Sequence, residues 1–431
     1  MSNGIGQRAV ASRKRVYLDY AATTPLDPRV KRVMEPYFTN EFGNPSSLHA
    51  EGVAAKKAVD TARVSVARSL EARSEEIIFT SGGTEANNSA ISGVVSALAI
   101  VNGRTLLLKG KKPHVVTTNI EHASVLEPIR ELERQGRIEV TYVEVSSDGI
   151  VKAEKISAAV KPTTVLVSVM YANNEIGTIQ PIAKIATLIK DVRCKMKEKQ
   201  KREITSYNVN LKSIKKDRFP IFHTDACQAP LYLNCLPNAL GVDLITLDGH
   251  KMYGPKGVGV LYVRRGTPIE PLLFGGGQER GLRSTTENVP GIVGFAEALR
   301  IAVAERKEES ARLMTLRNNF YSNVLQNMGI EHVIVNGSMK EGERLPNNLN
   351  VSFPGRDTEM LTLQLDAVGI AVSTKSSCLK NERESYVVSA LGGGTERARA
   401  SMRFTLGRNT TKKDIFTTQK ILTALLSKKE I

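Results

Sequence analysis

Ile77-Ile78-Phe79-Thr80-Ser81-Gly82-Gly83-Thr84-Glu85-Ala86-Asn87 reads as a short apolar β run, a glycine pair and the first turn of a helix. A strand closed by Gly-Gly and continued by a helical pattern is half of a strand–helix–strand unit. Ile91–Val101 carries the apolar pattern on, but it is short and holds two serines. It falls well below the ~18 apolar residues of a membrane span and is read as a buried helix.

The same alternation recurs outward from this stretch. Strand-like runs lie at Glu76–Thr80, His114–Thr118, Glu139–Val143, Val165–Met170, Ile221–Thr224, Leu244–Leu247 and Gly259–Val263, with helical patterns such as Ala54–Leu70 and Val125–Gln135 between them. This predicts an α/β fold with a mostly parallel sheet, whose sites lie at the carboxyl ends of its strands. Later in the chain the rhythm changes to a long helical stretch, Val293–Met328, a strand-like Asn348–Phe353 and a last helix from Lys412. A large domain over 26–292 is therefore expected. A smaller α+β domain would be built from 16–25 plus 293–431, leaving 1–15 as a leader. Cys194–Phe219 shows no clear period and is read as a basic surface loop, an insertion over 194–219.

Composition sets limits. With 431 residues, 41% apolar and 24% charged, the chain is globular and long enough for roughly two to three domains. The net charge of +16 is peripheral: +4 falls in residues 1–15, +7 in 190–218 and +3 in 412–431. The body is nearly neutral, and no zinc-finger or RNP-type motif is present, so no direct nucleic-acid partner is expected and no membrane partner either. The cysteines, at 194, 227, 235 and 378, form no C-x-x-C pair. That excludes a disulfide scaffold or zinc ribbon and favours a soluble protein of a reducing compartment. The first fifteen residues lack a secretory apolar core. They are Arg-rich and free of acids, which suits either an organelle targeting leader or a disordered one.

Three segments carry chemistry. In Asp248-Gly249-His250-Lys251-Met252-Tyr253-Gly254-Pro255-Lys256-Gly257, a lysine follows an apolar strand amid Gly-rich backbone, where desolvation would make it a Schiff-base nucleophile. The Gly82-Gly83-Thr84 turn offers helix-start amides and a hydroxyl to an anion such as a phosphate. In His223-Thr224-Asp225-Ala226-Cys227-Gln228, Asp225 ends a strand, where a carboxylate would hold a protonated ring nitrogen. Each alone also fits an ordinary feature: a surface lysine, a tight βα turn, a helix cap. Together, in this order and each at a strand end, they suit pyridoxal 5'-phosphate.

These segments, with Tyr17-Leu18-Asp19-Tyr20-Ala21-Ala22-Thr23-Thr24-Pro25, Phe42-Gly43-Asn44-Pro45-Ser46-Ser47, Glu121-His122, Asn173-Asn174-Glu175-Ile176-Gly177, Gly275-Gly276-Gly277-Gln278-Glu279-Arg280-Gly281 and Met402-Arg403-Phe404-Thr405-Leu406-Gly407-Arg408, give the chain its family likeness. It resembles the cysteine desulfurases, class V of the aminotransferase-like pyridoxal-phosphate enzymes, most closely their group I. The resemblance implies the aspartate aminotransferase-like fold type I of these transferases. It further implies that Lys251 forms the Schiff base, Asp225 pairs with the pyridinium nitrogen, Gln228 reaches the ring hydroxyl, and His122 stacks on the ring and moves protons. Gly83, Thr84, Asp248 and His250 would lie at the phosphate, with Thr286 supplied by a second subunit of a homodimer. Asn174 and Arg403 would bind the substrate carboxylate, for which a guanidinium fork is well shaped. Cys378 would take sulfur from L-cysteine as a persulfide, release alanine, and pass the sulfur to an iron–sulfur scaffold protein or other acceptors. Cys194, Cys227 and Cys235 are read as structural. No metal site of its own is expected, although Cys378 would transiently share a cluster with a scaffold. The compartment would be the cytoplasm, or a mitochondrion-type matrix if residues 1–15 act as a leader.

The chain departs from the family pattern at several points. Where the family commonly has serine in the phosphate cradle, this chain has Asp248. Like charges ~4 Å apart repel by about 4 kcal/mol at an effective dielectric near 20, so Asp248 is expected either to turn away or to weaken cofactor binding. Lys375-Ser376-Ser377-Cys378 replaces the usual Gly-Ser-Ala-Cys, and Lys375 is expected to favour the Cys378 thiolate. The segment after Cys378 is about one residue shorter than the family's. The chain ends at Ile431, soon after its last helix, where many members continue into a tail that helps dock the scaffold. Two other readings share the motifs: a different class V enzyme, such as a selenocysteine lyase or an aminotransferase, and a catalytically degenerate assembly subunit.

Overall fold

The structure, a computed structural model, describes residues 15–99, 111–203, 219–328, 333–374 and 384–427. Its strands are β1 (Val16–Tyr17), β2 (Ile77–Thr80), β3 (His114–Thr118), β4 (Glu139–Val143), β5 (Thr164–Ser168), β6 (Ile221–Asp225), β7 (Leu244–Asp248), β8 (Gly259–Val263), β9 (Ile334–Val335), β10 (Asn348–Ser352), β11 (Ile370–Ala371) and β12 (Ser401–Thr405).

Seven strands form the main sheet in the order β2-β8-β7-β6-β5-β3-β4. The pairs β7–β6, β6–β5, β5–β3 and β3–β4 are parallel, while β8 is antiparallel to both of its neighbours. The other six strands therefore share one direction, and their carboxyl ends share one edge. The strands β2, β3, β5, β6, β7 and β8 are buried along their whole length. Helices cover both faces, which is why these strands read as continuous apolar runs rather than alternating ones. On one face, Val59 and Val66 of helix Ala50–Ser69, Ile185 and Ile189 of helix Ile182–Glu203, and Phe295 and Leu299 of helix Val289–Met328 pack against Val116, Phe222 and Ile245. On the other, Ile91 and Val94 of helix Gly83–Ala99 and Ile129 and Leu132 of helix Ala123–Arg134 pack against Ile78, Leu166 and Leu244.

A second core surrounds the antiparallel sheet β12-β10-β9. It takes Leu313 and Phe320 from the far half of helix Val289–Met328, Leu361 and Leu365 from helix Thr358–Ala367, and Ile415 and Leu422 from helix Lys412–Leu426. Leu18 also belongs to it. The chain enters there because β1 pairs with β11, and Thr405 donates its amide to the Leu18 carbonyl at 2.7 Å.

One expectation is corrected. Cys194 lies within helix Ile182–Glu203, so the insertion begins as helix rather than as loop. Lys195–Glu203 has little apolar periodicity, yet Lys, Met, Glu, Gln and Arg are strong helix formers. Residues 204–218, the rest of that insertion, and the leader up to residue 14 lie outside the described residues.

Candidate active site

The shared edge of the sheet gathers the site. β7 ends at Asp248, and a single 3-10 turn, Gly249–Lys251, presents the lysine. Glycine is needed here: a Cβ at Gly249 would stand 2.8 Å from the Pro255 carbonyl oxygen, and one at Gly259 would stand 2.7 Å from Gly82 Cα. The turn after β2 and the start of β8 thus pack backbone to backbone. The segment after β1 closes over the lysine. Lys251 Nζ donates to the carbonyls of Ala21 at 2.8 Å and Ala22 at 2.7 Å, Thr24 donates its amide to the His250 carbonyl at 3.0 Å, and His250 Nδ1 meets the Thr23 hydroxyl at 3.1 Å.

Beneath lies a cavity of about 180 Å³. Gly83, Thr84, His122, Asn174 and Asp225 line it, as do Gln228, Asp248, His250, Lys251 and Arg403. Of the other expected site residues, Thr286 is exposed and outside this lining, and Cys378 lies outside the described residues, with Lys375. Cys227 was expected to be structural, yet it also lines the cavity. Burial and the neighbouring Asp225 and Asp248 raise its thiol well above the usual range, which keeps it a protonated neighbour rather than a nucleophile.

Asp225 is fixed by two donors. Asn87 Nδ2 reaches one carboxylate oxygen at 2.7 Å and the Cys227 amide reaches the other at 2.9 Å. His122 caps helix Ala123–Arg134. The Ser124 hydroxyl at 2.7 Å and the Ser124 amide at 3.1 Å both converge on His122 Nδ1, which assigns the proton of the neutral ring to Nε2. Beside it, burial pushes the Glu121 carboxyl up to about 8, with nearby Asp225 adding to the shift. The Thr118 hydroxyl and the Met170 amide share one of its oxygens, at 2.5 and 3.0 Å.

Arg403 comes from β12, in the second core, and is 1% exposed. Its guanidinium donates to Asp19 Oδ1 at 2.6 Å and to the Asn174 carbonyl at 2.8 Å, while Nε has no partner among the described residues. At the opposite end Asp248 has not turned away. Its Oδ2 accepts the Gly83 amide at 2.7 Å.

Sequence reasoning assigned no role to Asn87 or Asp19. Asn87 is a buried polar residue on an otherwise apolar helix face, and Asp19 directly precedes the Tyr20–Ala22 turn. Those were the available signals.

A planar cationic ring with an aldehyde fits this set. Asp225 is buried, faces the cavity and is held by the neutral donors Asn87 and the Cys227 amide, which suits a protonated ring nitrogen. Lys251 supplies the amine for the aldehyde. Among the described residues no group of three or more His, Cys, Asp or Glu is arranged to hold a metal ion.

Comparison with known proteins gives the same picture. Residues 16–217 and 207–417 match the family Aminotransferase class-V. A cysteine desulfurase IscS of Dictyoglomus turgidum is 42% identical, over 96% of this chain and 95% of its own length. A mitochondrial cysteine desulfurase of Arthroderma benhamiae is 42% identical, over 93% of this chain and 72% of its own. A solved NifS-like protein superposes with a TM-score of 0.82 at 35% identity, covering 96% of this chain and 99% of that one.

Proposed function

From the premise that the chain belongs to the class V aminotransferase family, and within it to the pyridoxal-phosphate-dependent cysteine desulfurases, we propose the following division of labour among its residues. The observation that carries it is the convergence of Lys251, Asp225 and Arg403 on one cavity.

Bound there, pyridoxal 5'-phosphate supplies an aldehyde for an amino group and a ring that draws electrons from the attached carbon. Lys251 holds the aldehyde end and moves protons at Nζ. Asp225, aligned by Asn87, keeps a proton on the ring nitrogen, and Gln228 meets the ring hydroxyl. His122, which lines the cavity, would stack on the ring and exchange a proton at Nε2. Gly83, Thr84 and His250 receive the phosphate. The Nε of Arg403, with Asn174, orients the carboxylate of L-cysteine. The Cys378 thiolate attacks the substrate sulfur. The carbon–sulfur bond breaks with its electron pair going to carbon, the carbon is protonated to give L-alanine, and the sulfur stays on Cys378 as a persulfide.

Thr286 would complete the phosphate site of a second copy. A cleft lined by Pro45, Leu48, Val53, Val64, Gly276 and Glu287 supports that homodimer. Leu48 is 97% and Val53 57% exposed there; large exposed apolar groups in one cleft mark an interface. The persulfide sulfur passes to an iron–sulfur scaffold protein and other acceptors. The division into a large cofactor domain and a small domain carrying Cys378 is supported by the separate core around β12-β10-β9, although Phe295, Leu299, Val387 and Leu391 pack in the core of the main sheet. No helix among the described residues is long and apolar enough to cross a membrane. The cytoplasm or a mitochondrion-type matrix is the compartment proposed.

Purified protein supplied with pyridoxal 5'-phosphate and L-cysteine should release alanine. Lys251→Ala should abolish release. Cys378→Ser should abolish persulfide formation while the cofactor stays bound. Alanine release with sulfide that survives Cys378→Ser would refute the assignment of Cys378.

A further inference from the structure

The end of the cavity assigned to the phosphate already faces a negative charge belonging to the chain. The Gly83 amide is the first of the helix Gly83–Ala99, one of the four that no helical carbonyl satisfies. Asp248 Oδ2 accepts it at 2.7 Å. The other carboxylate oxygen, Oδ1, accepts the His250 amide at 3.2 Å and lies 3.5 Å from His250 Nε2. Two of the groups proposed to receive the phosphate, Gly83 and His250, are thus both engaged by one carboxylate, and Asp248 is only 9% exposed. Gly83 itself is packed close against it: a Cβ added there would lie 3.1 Å from Asp248 Oδ2 and 2.7 Å from Cys227 Sγ.

We propose that Asp248 is a specificity-determining residue that competes with the cofactor phosphate for the Gly83 amide and His250, so that the phosphate adds far less to cofactor affinity in this chain than it would with a neutral residue at 248. The proposal rests on the reading of the cavity as a pyridoxal-phosphate site. One N–H cannot serve two anions at once, and like charges brought within a few ångströms of each other in a buried pocket repel strongly. The cost falls on the phosphate alone, because the aldehyde and ring are held elsewhere, by Lys251 and Asp225. In the apoprotein the same carboxylate satisfies the helix start, as an acidic cap does. Asp248 therefore stabilises the unloaded protein and opposes loading by the phosphorylated cofactor.

The test is a pair of titrations of full-length apoprotein, one with pyridoxal 5'-phosphate and one with pyridoxal, followed by the absorbance of the bound aldehyde. Wild type, Asp248→Ser and Asp248→Asn are compared. Asp248→Ser should raise the ratio of the pyridoxal to the pyridoxal-phosphate dissociation constant by about tenfold or more, with pyridoxal affinity itself moving less than about threefold. The isosteric Asp248→Asn should fall between, since its amide oxygen still takes the Gly83 amide but carries no charge. Melting temperatures supply a second readout: apo Asp248→Ser should melt below apo wild type, and adding pyridoxal 5'-phosphate should raise it by more. A ratio unchanged in both variants would overturn the inference while leaving the cofactor site standing. If wild type and variants bind neither aldehyde, the reading of the site falls, and this inference with it.

Discussion

Asn87 donates to the Asp225 carboxylate at 2.7 Å, and the same side-chain amide donates to the Ser124 hydroxyl at 2.8 Å. Ser124 in turn meets His122 Nδ1. One asparagine thus aligns the carboxylate at the cavity floor and, through Ser124, the imidazole that lines it. A hydrogen bond to a charged group contributes about 1.5–3 kcal/mol. Asn87→Ala should therefore lower kcat by about 10- to 100-fold with little change in KM. Asn87→Asp should be worse still, because it sets a second carboxylate against Asp225. Steady-state kinetics on the two variants, with the cofactor spectrum as a loading control, would separate this positioning role from a loss of folding.

Buried titratable groups set opposite pH slopes. Glu121 titrates at about 8 in the folded chain against its ordinary 4.5. Between those values the folded protein binds more protons than the unfolded one, so this group's stabilisation is lost as pH rises through the window. Burial lowers His223 and His114 from 6.5 to about 4. Below about 6.5 the unfolded chain binds more protons, and stability is lost as pH falls toward about 4. Glu121→Gln keeps an acceptor for Thr118 and Met170, and should gain melting temperature relative to wild type as pH rises from about 5 to about 8. Parallel melting curves for the two proteins would argue against a buried neutral Glu121.

The buried guanidinium of Arg403 serves Asp19 and the Asn174 carbonyl together. Lysine keeps the charge but not the fork. Arg403→Lys should raise the KM for L-cysteine by about tenfold or more at modest cost in stability. Arg403→Ala should lose about 3 kcal/mol of unfolding free energy, because it strands Asp19. Substrate saturation curves and denaturant melts on both variants check the pair of effects.

Behind the segment that carries Cys378, the chain is fastened to the site's own framework. The Ser385 hydroxyl donates to Glu175 Oε2 at 2.5 Å and accepts the Val388 amide at 3.1 Å, and the Tyr386 hydroxyl donates to the Glu121 carbonyl. Ser385→Ala removes a helix cap and a charge-assisted hydrogen bond, together about 1–3 kcal/mol. It should slow persulfide formation on Cys378, measured by differential alkylation, while cofactor affinity stays near wild type.

Leu48→Asp and Val53→Asp each place a charge among the exposed apolar side chains of that cleft. Either should shift the protein to monomer in sedimentation, and cofactor retention should fall with it as Thr286 of the second copy is withdrawn. A wild type that sediments as a monomer would refute the homodimer.

The sequence by itself determined the elements and the identity of the chemical groups. His114–Thr118, Glu139–Val143 and Gly259–Val263 were legible to the residue, because β-branched and apolar runs bounded by breakers depend only on local backbone and burial preferences. Lys251, Asp225 and the Gly82-Gly83 turn stood out because each follows such a run. Local pattern was blind elsewhere. It did not reveal the reversed direction of β8, because a strand reads alike both ways. Nor did it show that helix Ile182–Glu203 continues through Cys194, where helix propensity acts without apolar periodicity.

Only the tertiary structure decided which polar groups meet. Asp19 pairs with Arg403 across 384 positions, because β1 is carried beside β11 into the second core. Asp248 rather than solvent satisfies the Gly83 amide, because β8 lies between β2 and β7 and holds their carboxyl ends at one edge. Such contacts follow from strand order and chain crossings, which local pattern does not encode, and they fix the distances on which the chemistry depends.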